Sequence, residues 1–302
     1  MALTALSLAI WWTPLTYSFA LASSEEQYTH ILLILPVSAA LIFLDWKSDW
    51  KSDWKRDRKL PSPASASSMA LASLFLIIAL LVNVVVRWKA HLSPDVELAT
   101  TMLALVVWWI ASFVLCFGSR TFRRALFPLS FLLWMVPLPA VVVNSLVALL
   151  QHGSATAAHW LFAAAGIPGA QRGTLVHIPG LTLEVAPECS SIRSSLMLLV
   201  TTMVLAQLLL RSTWRKALVM AAAIPLSVAK NGLRIFILGV LATHVDPSFL
   251  TGRLHRQGGG IFFLIALAAI FLLLWIVRLG ETGKPKLETP AAFPKEISSA
   301  NA

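Results

Sequence analysis

Residues 98–118 read LATTMLALVVWWIASFVLCFG, an unbroken run without a charged side chain. At about 1.5 Å per residue a helix of this run is roughly 30 Å long, the thickness of a bilayer's hydrocarbon core. A helix satisfies its backbone N–H and C=O groups internally, so the run reads as one transmembrane helix. Seven further runs are long and predominantly apolar, at about 2–21, 29–45, 69–86, 125–150, 190–210, 217–243 and 258–277. Within the second, only Ile31 to Leu44 is strictly apolar, with Pro36 inside it; the fifth holds Pro128, Pro137 and Pro139, which predict a kinked or broken helix. Composition agrees: of 302 residues 58% are hydrophobic and 13% charged, with a mean hydropathy of +0.77. A soluble globule is about 45–50% apolar and about 25% charged, so this chain could not dress a water-facing surface. The expected fold is an all-α polytopic membrane protein with about eight transmembrane helices. Residues 1–280 form its membrane domain, and 281–302 are expected to be a disordered cytoplasmic tail.

The net charge of +10 reads as topology, because basic residues accumulate in cytoplasmic loops. Loops 45–60, 119–124, 211–216 and the tail after Val277 hold sixteen Lys and Arg. The alternate loops 22–28, 87–97, 152–189 and 244–257 hold five. Both termini are therefore expected in the cytoplasm, with the longest loop, 152–189, facing outward. In that loop Gly173–Ile178 and Leu181–Val185 flank Pro179-Gly180, the signal of a small extracytoplasmic β-hairpin. Before it, Ala155–Ala165, with Trp160, suits a short interfacial helix. The first span ends in Ala20-Leu21-Ala22, which resembles a signal-peptide cleavage site, yet no basic region precedes it and further spans follow. A retained helix is expected. In loop 45–60 Asp-Trp-Lys-Ser is repeated in tandem, a pattern that fits a membrane-interface segment and equally a slipped duplication. Two cysteines, Cys116 and Cys189, make no disulfide framework, and no Cys/His group has ligand spacing. No metal or other cofactor is expected.

Ionisable residues inside spans are costly and mark function by default. Here they are Arg193, Lys230 and Arg234. Arg193 follows Cys189 by four residues and Arg234 follows Lys230 by four, so each pair shares a helix face. From Lys216, at the cytoplasmic end of the seventh span, Arg234 lies roughly 27 Å along the helix, near the outer surface. Cys189 begins the sixth span at that surface, and His255 lies just before the eighth. A thiol, an imidazole and a guanidinium thus reach one level. Cationic neighbours lower a thiol's pKa and enlarge its thiolate fraction. Arg193 and Arg234 offer that field, and Arg234 alternatively offers hydrogen bonds to an oxyanion. A helix start at Cys189 adds a favourable dipole.

Plainer readings stand beside each residue. A lone cysteine is ordinarily an apolar filler, an arginine at this depth ordinarily snorkels, and a loop histidine ordinarily has no special role. Cys116, near the cytoplasmic end of its span, reads as filler. His177, in the hairpin, is the other candidate base.

Four segments in order carry a resemblance: Phe127–Pro139 with its prolines, Val185–Arg193 around Cys189, Asn231-Gly232-Leu233-Arg234-Ile235, and His255 followed by glycines and Phe262-Phe263. Together they resemble the exosortase/archaeosortase family over about residues 29–280. Ser191 stands where the family commonly has Gly. The resemblance implies a membrane cysteine protease and transpeptidase that processes exported proteins. Their C-terminal sorting signal is a Pro-Glu-Pro-like motif, a transmembrane helix and a basic cluster. It implies Cys189 as nucleophile, His255 as general acid/base and Arg234 as stabiliser of thiolate or oxyanion. A thioester would form and pass to an unidentified acceptor nucleophile, an amine, a lipid or an envelope-polymer precursor. Asn231 is a candidate to orient Arg234. Glu188 and Arg193 are expected to pair with substrate or each other, and Lys230 to contact carbonyl groups in the bundle. The expected setting is the cytoplasmic (inner) membrane, with the site on its extracytoplasmic face and no role for nucleic acid.

Two other functions fit parts of the pattern. Broken helices and buried cations would suit a transporter or flippase of envelope precursors, although the two halves show no inverted repeat. A thiol-dependent membrane acyltransferase would need Cys189 but no sorting signal on a protein.

Overall fold

The computed structural model describes residues 2–53, 66–88, 92–185, 192–250 and 259–282. Among these, eight helices are long and apolar enough to cross a membrane. The protein is an integral, multi-pass, mainly helical membrane protein with one small antiparallel sheet. In chain order it has α1 (Ala2–Ser24), a 3-10 turn (Glu26–Tyr28), α2 (Ile31–Asp53), α3 (Ala66–Trp88) and α4 (Pro94–Arg124). Next come α5 (Leu126–Phe131) with a 3-10 turn (Leu132–Met135), α6 (Ala140–Ala164) and strands β1 (Ala170–Arg172), β2 (Leu175–Ile178) and β3 (Leu181–Glu184). Last are α7 (Ile192–Leu209), α8 (Thr213–His244), a 3-10 turn (Pro247–Leu250) and α9 (Gly259–Thr282). The tandem repeat is helical backbone in α2 as far as Asp53, and its remainder, like the tail 283–302, lies outside the described residues.

The polar handles of the first helices find partners inside the bundle. Trp108 Nε1 donates to the Leu3 carbonyl at 3.1 Å and Trp109 Nε1 to Ser7 Oγ at 2.9 Å, fastening α4 to α1. Pro14 has no N–H to give the carbonyl four residues back, and α1 departs from helical geometry at Trp11. Arg87 Nη2 of α3 donates to that orphaned Ile10 carbonyl at 2.7 Å.

The expected fifth span, 125–150, and the expected interfacial helix at 155–165 are divided differently. At Gly118, with φ 77° and ψ 168°, α4 turns sharply in a conformation that suits only glycine. The segment Leu126–Met135 then packs on both α2 and α4 and shares one buried cluster with Met102, Leu105 and Trp108. Pro137 and Pro139 lack the N–H that would bond the carbonyl four residues back, and the chain runs without a helix from Val136 to Pro139. A new helix, α6, starts at Ala140 and absorbs 155–164. The Tyr28 hydroxyl donates to the Leu138 carbonyl at 3.0 Å, and Ala140 N donates to Asp95 Oδ2, at the start of α4, at 2.8 Å. Two residues before Tyr28, Glu26 pairs with Arg193 of α7. The stretch from Leu138 to Arg193 therefore leaves and rejoins the bundle at one end. This is the site end of the bundle.

α6 and α8 run parallel and touch through small residues, as close-packed helices in lipid do. A Cβ on Gly232 would lie 2.5 Å from Ala157 Cβ and 3.1 Å from Ala157 C, and one on Gly153 would lie 3.1 Å from Val228 Cγ1. Ala157 Cβ is fixed to its backbone, so relief requires the helices to part. Gly232→Val is expected to destabilise the protein by about 1–3 kcal/mol or more. The measurement is the melting temperature in detergent. Ala157→Gly should restore part of the loss for Gly232→Ala, and an unchanged melting temperature in Gly232→Val would refute the close contact.

The hairpin is present and carries a third strand, in the order β1-β2-β3, all antiparallel. Pro179 and Gly180, the latter at φ +79°, make the tight β2–β3 turn. Val176, Ile178, Leu183 and Val185 bury against Ala155, Ala158 and Phe162 of α6 and Ile235 of α8. Alternation along the strands thus places one sheet face on the helices.

Candidate functional site

The deciding helix is α8, whose 32 residues extend beyond its neighbour α7. Lys216 Nζ donates to Gln207 Oε1 at 2.7 Å near one end of this antiparallel pair. Toward the other end, Ser227 bonds to Ser195 and Lys230 donates to Ser194 Oγ. Ser194 is the third residue of α7, so the part of α8 after Lys230 rises past the start of α7. Arg234 stands one turn further on.

Spacing of three and four puts Ser227, Lys230 and Arg234 along one side of α8, and all three are buried. Asn231 turns instead toward α6. Its Nδ2 donates to Ser154 Oγ at 2.9 Å, and its Oδ1 has no hydrogen-bond partner among the described residues. Its direct polar contact is therefore with α6.

The last helix reaches the same place. Arg215 of α8 donates to the Val277 and Gly280 carbonyls at 3.1 Å each, and Glu281 accepts from the backbone N–H of Ser212 at 2.9 Å. These bonds hold the end of α9 at the start of α8, so the start of α9 lies at the site end. There, Arg234 Nη1 is 3.9 Å from where a Cβ on Gly259 would sit. Gly259 follows His255 by four residues.

A second chain end is pinned nearby. Gln151 Nε2 of α6 donates to the Val185 carbonyl at 2.7 Å, and Val185 packs with Ile235. Val185 precedes Cys189 by four residues, and Arg193 follows it by four. Arg193 Nη1 lies 3.4 Å from Glu26 Oε1, with both side chains half-exposed or more. An ion pair so exposed adds little stability.

The structure thus brings Arg234, Lys230, Asn231 and Arg193 to one end of the bundle. Cys189, Glu188 and His255 lie outside the described residues. His177 sits in β2, where Nδ1 meets Thr182 Oγ1 at 3.0 Å across the hairpin. Cys116 is exposed on α4 rather than filling a core gap. Among the described residues no three His, Cys, Asp or Glu side chains gather as a metal site. Reading the sequence missed Gln151, Ser154, Ser194, Ser195, Ser227 and Glu26. Only Ser194-Ser195, directly after Arg193 in an apolar run, carried a signal, since hydroxyls inside a membrane bundle commonly bond across helices.

The family described as transmembrane exosortase matches this chain over residues 11–272. No curated protein and no solved structure matches it.

Proposed function

The chain belongs to the transmembrane exosortase family, a family of transpeptidases, and on that premise we propose that it cleaves C-terminal sorting signals with Cys189 as nucleophile. Membership carries an exosortase-type function in a membrane, with exported proteins as substrates. The finer reading is chemical. The Cys189 thiolate attacks the peptide carbonyl carbon, and Arg234 donates hydrogen bonds to the oxyanion that develops. The tetrahedral species collapses as the C–N bond breaks, and His255 gives its proton to the departing amine. The substrate's transmembrane helix and basic cluster leave with that amine. The remaining acyl group stays on sulfur as a thioester. An acceptor nucleophile then loses its proton to His255, bonds to the acyl carbon and releases the thiolate.

The observation that supports this best is the position of Arg234. It is buried at the site end against the start of α9, whose first residue, Gly259, follows His255 by four positions in the sequence. Gln151 pins Val185 the same short distance before Cys189. Arg234 therefore stands among the described ends of both segments that bear the proposed thiol and imidazole. Lys230, fastened to Ser194, and Asn231, fastened to Ser154, hold α8 against α7 and α6 and act as positioning residues. Glu188 and Arg193 remain candidates for substrate contact. The proposed setting is the cytoplasmic (inner) membrane, and the sixteen-to-five distribution of basic residues supports an orientation with the site end outward.

Interception of the thioester tests this reading. The protein is incubated with a substrate bearing the Pro-Glu-Pro-like motif, transmembrane helix and basic cluster, with and without hydroxylamine. The expected product is a shortened protein that carries a hydroxamate at its new C-terminus when hydroxylamine is present. A full-length substrate, or a free carboxylate formed equally under both conditions, would count against it.

A further inference from the structure

We propose that the free edge of β3 receives the extended segment of the exported protein by strand addition and so presents its peptide bond to the site. This rests on the peptidase reading above. The register decides which backbone groups are free. Val185 N donates to the Thr174 carbonyl at 3.1 Å, which makes Val185 and Thr174 a hydrogen-bonded pair. Such pairs alternate along an antiparallel ladder, so Leu183–Val176 and Leu181–Ile178 follow in the register of β2 and β3. Thr182 and Glu184 therefore aim their N–H and C=O groups away from β2. Among the described residues no strand lies on that side, and both residues are exposed.

Placement selects this edge over the other. β1 and β2 lie on α6, whereas β3 lies on α8. α7 and α9 pack on α8 as well, and their site-end starts carry the Arg193 and Gly259 positions. β3 is thus the strand of the sheet that reaches the helix bearing Arg234. β1 is held back on α6 through the Gln171 Nε2 bond to Thr156 Oγ1 at 3.1 Å. β3 is also the strand that leads through Val185, pinned by Gln151, into the segment of Cys189.

The occupant is an extended peptide because only an extended backbone offers N–H and C=O groups at the two-residue spacing that Thr182 and Glu184 present. On the peptidase reading the substrate has such a segment at this level, immediately before its transmembrane helix. Recognition through the main chain leaves side-chain choice to other parts of the site.

The test uses the full-length protein and the sorting-signal substrate. Proline is tolerated on an edge strand where its missing N–H faces away from the ladder, so Thr182→Pro removes one docking donor. Thr182→Ala removes the side chain and keeps the donor. KM of the proline variant is expected to exceed that of the alanine variant by about five- to tenfold, the loss of about one hydrogen bond. A ratio near one overturns the proposal. If the proline variant does not fold, a photoreactive side chain at Thr182 or Glu184 is compared with one at Ala170 or Arg172. Substrate adducts are expected from the β3 positions. Equal labelling from β1, or no adduct from either edge while the protein still shortens its substrate, overturns strand addition alone. Failure of the wild-type protein to shorten any such substrate counts against the peptidase reading instead.

Discussion

Cys189→Ala is expected to leave the sorting-signal substrate at full length, with processing reduced by at least about 10⁴-fold. The estimate follows from removing the only group proposed to bond to the acyl carbon, since losing one member of a nucleophile–base unit costs nearly as much as losing all of it. An immunoblot of substrate size, in cells carrying the wild type or the variant at equal protein level, reads the result. Cys189→Ser is the sharper control, because a hydroxyl of similar size lacks the accessible anion of a thiol. Processing by Cys189→Ala at the wild-type rate would remove the thiol from the chemistry and return the acyltransferase and transport readings to consideration. The second cysteine offers no substitute at this position, since Cys116 lies on the far part of α4 beside the sharp turn at Gly118.

Arg234→Gln is expected to lower kcat by about 10²–10³-fold with little change in KM, the signature of a donor used in the transition state rather than in substrate binding. Gln keeps a hydrogen-bonding side chain but loses the charge and the planar fork. Arg234→Lys keeps the charge alone and should recover only part of the activity. The buried setting sharpens the expectation, because a donor shielded from water interacts more strongly with a developing charge. A fall in kcat within threefold of wild type would reduce Arg234 to a packing residue. The melting temperature of each variant separates that outcome from misfolding, since Arg234 lies along the same helix as the tight contact of Gly232 with Ala157.

The helices that cross the membrane were largely legible as uncharged runs because hydrocarbon demands a self-satisfied backbone over a fixed length. The β2–β3 turn was legible for an equally local reason, since Pro179-Gly180 restricts its own geometry. β1 was not, because Ala170-Gln171-Arg172 is short and shows no apolar alternation; it pairs only because β2 is already beside it. The break between Val136 and Pro139 was foreseeable from its prolines. The independent course of α6 was not, since it depends on Asp95 meeting Ala140 N across 45 residues of chain.

The site divides in the same way. Lys230 and Arg234 announced themselves, because a charge in an apolar run is costly wherever it sits. Their depth followed from helical rise alone. The partners did not follow: Ser194 for Lys230, Ser154 for Asn231 and Glu26 for Arg193 lie on other helices, and a serine in a span costs too little to stand out. The membrane class, the existence of intramembrane cations and the local turns follow from the order of residues alone, because each is set by interactions a few residues long. It took the packed bundle to establish that α6 and the sheet leave and rejoin it at one end. That packing also decided that the start of α9 meets Arg234 and that the edge strand β3 lies on α8. Those facts depend on helix–helix packing and on hydrogen bonds between distant segments, which no local pattern encodes.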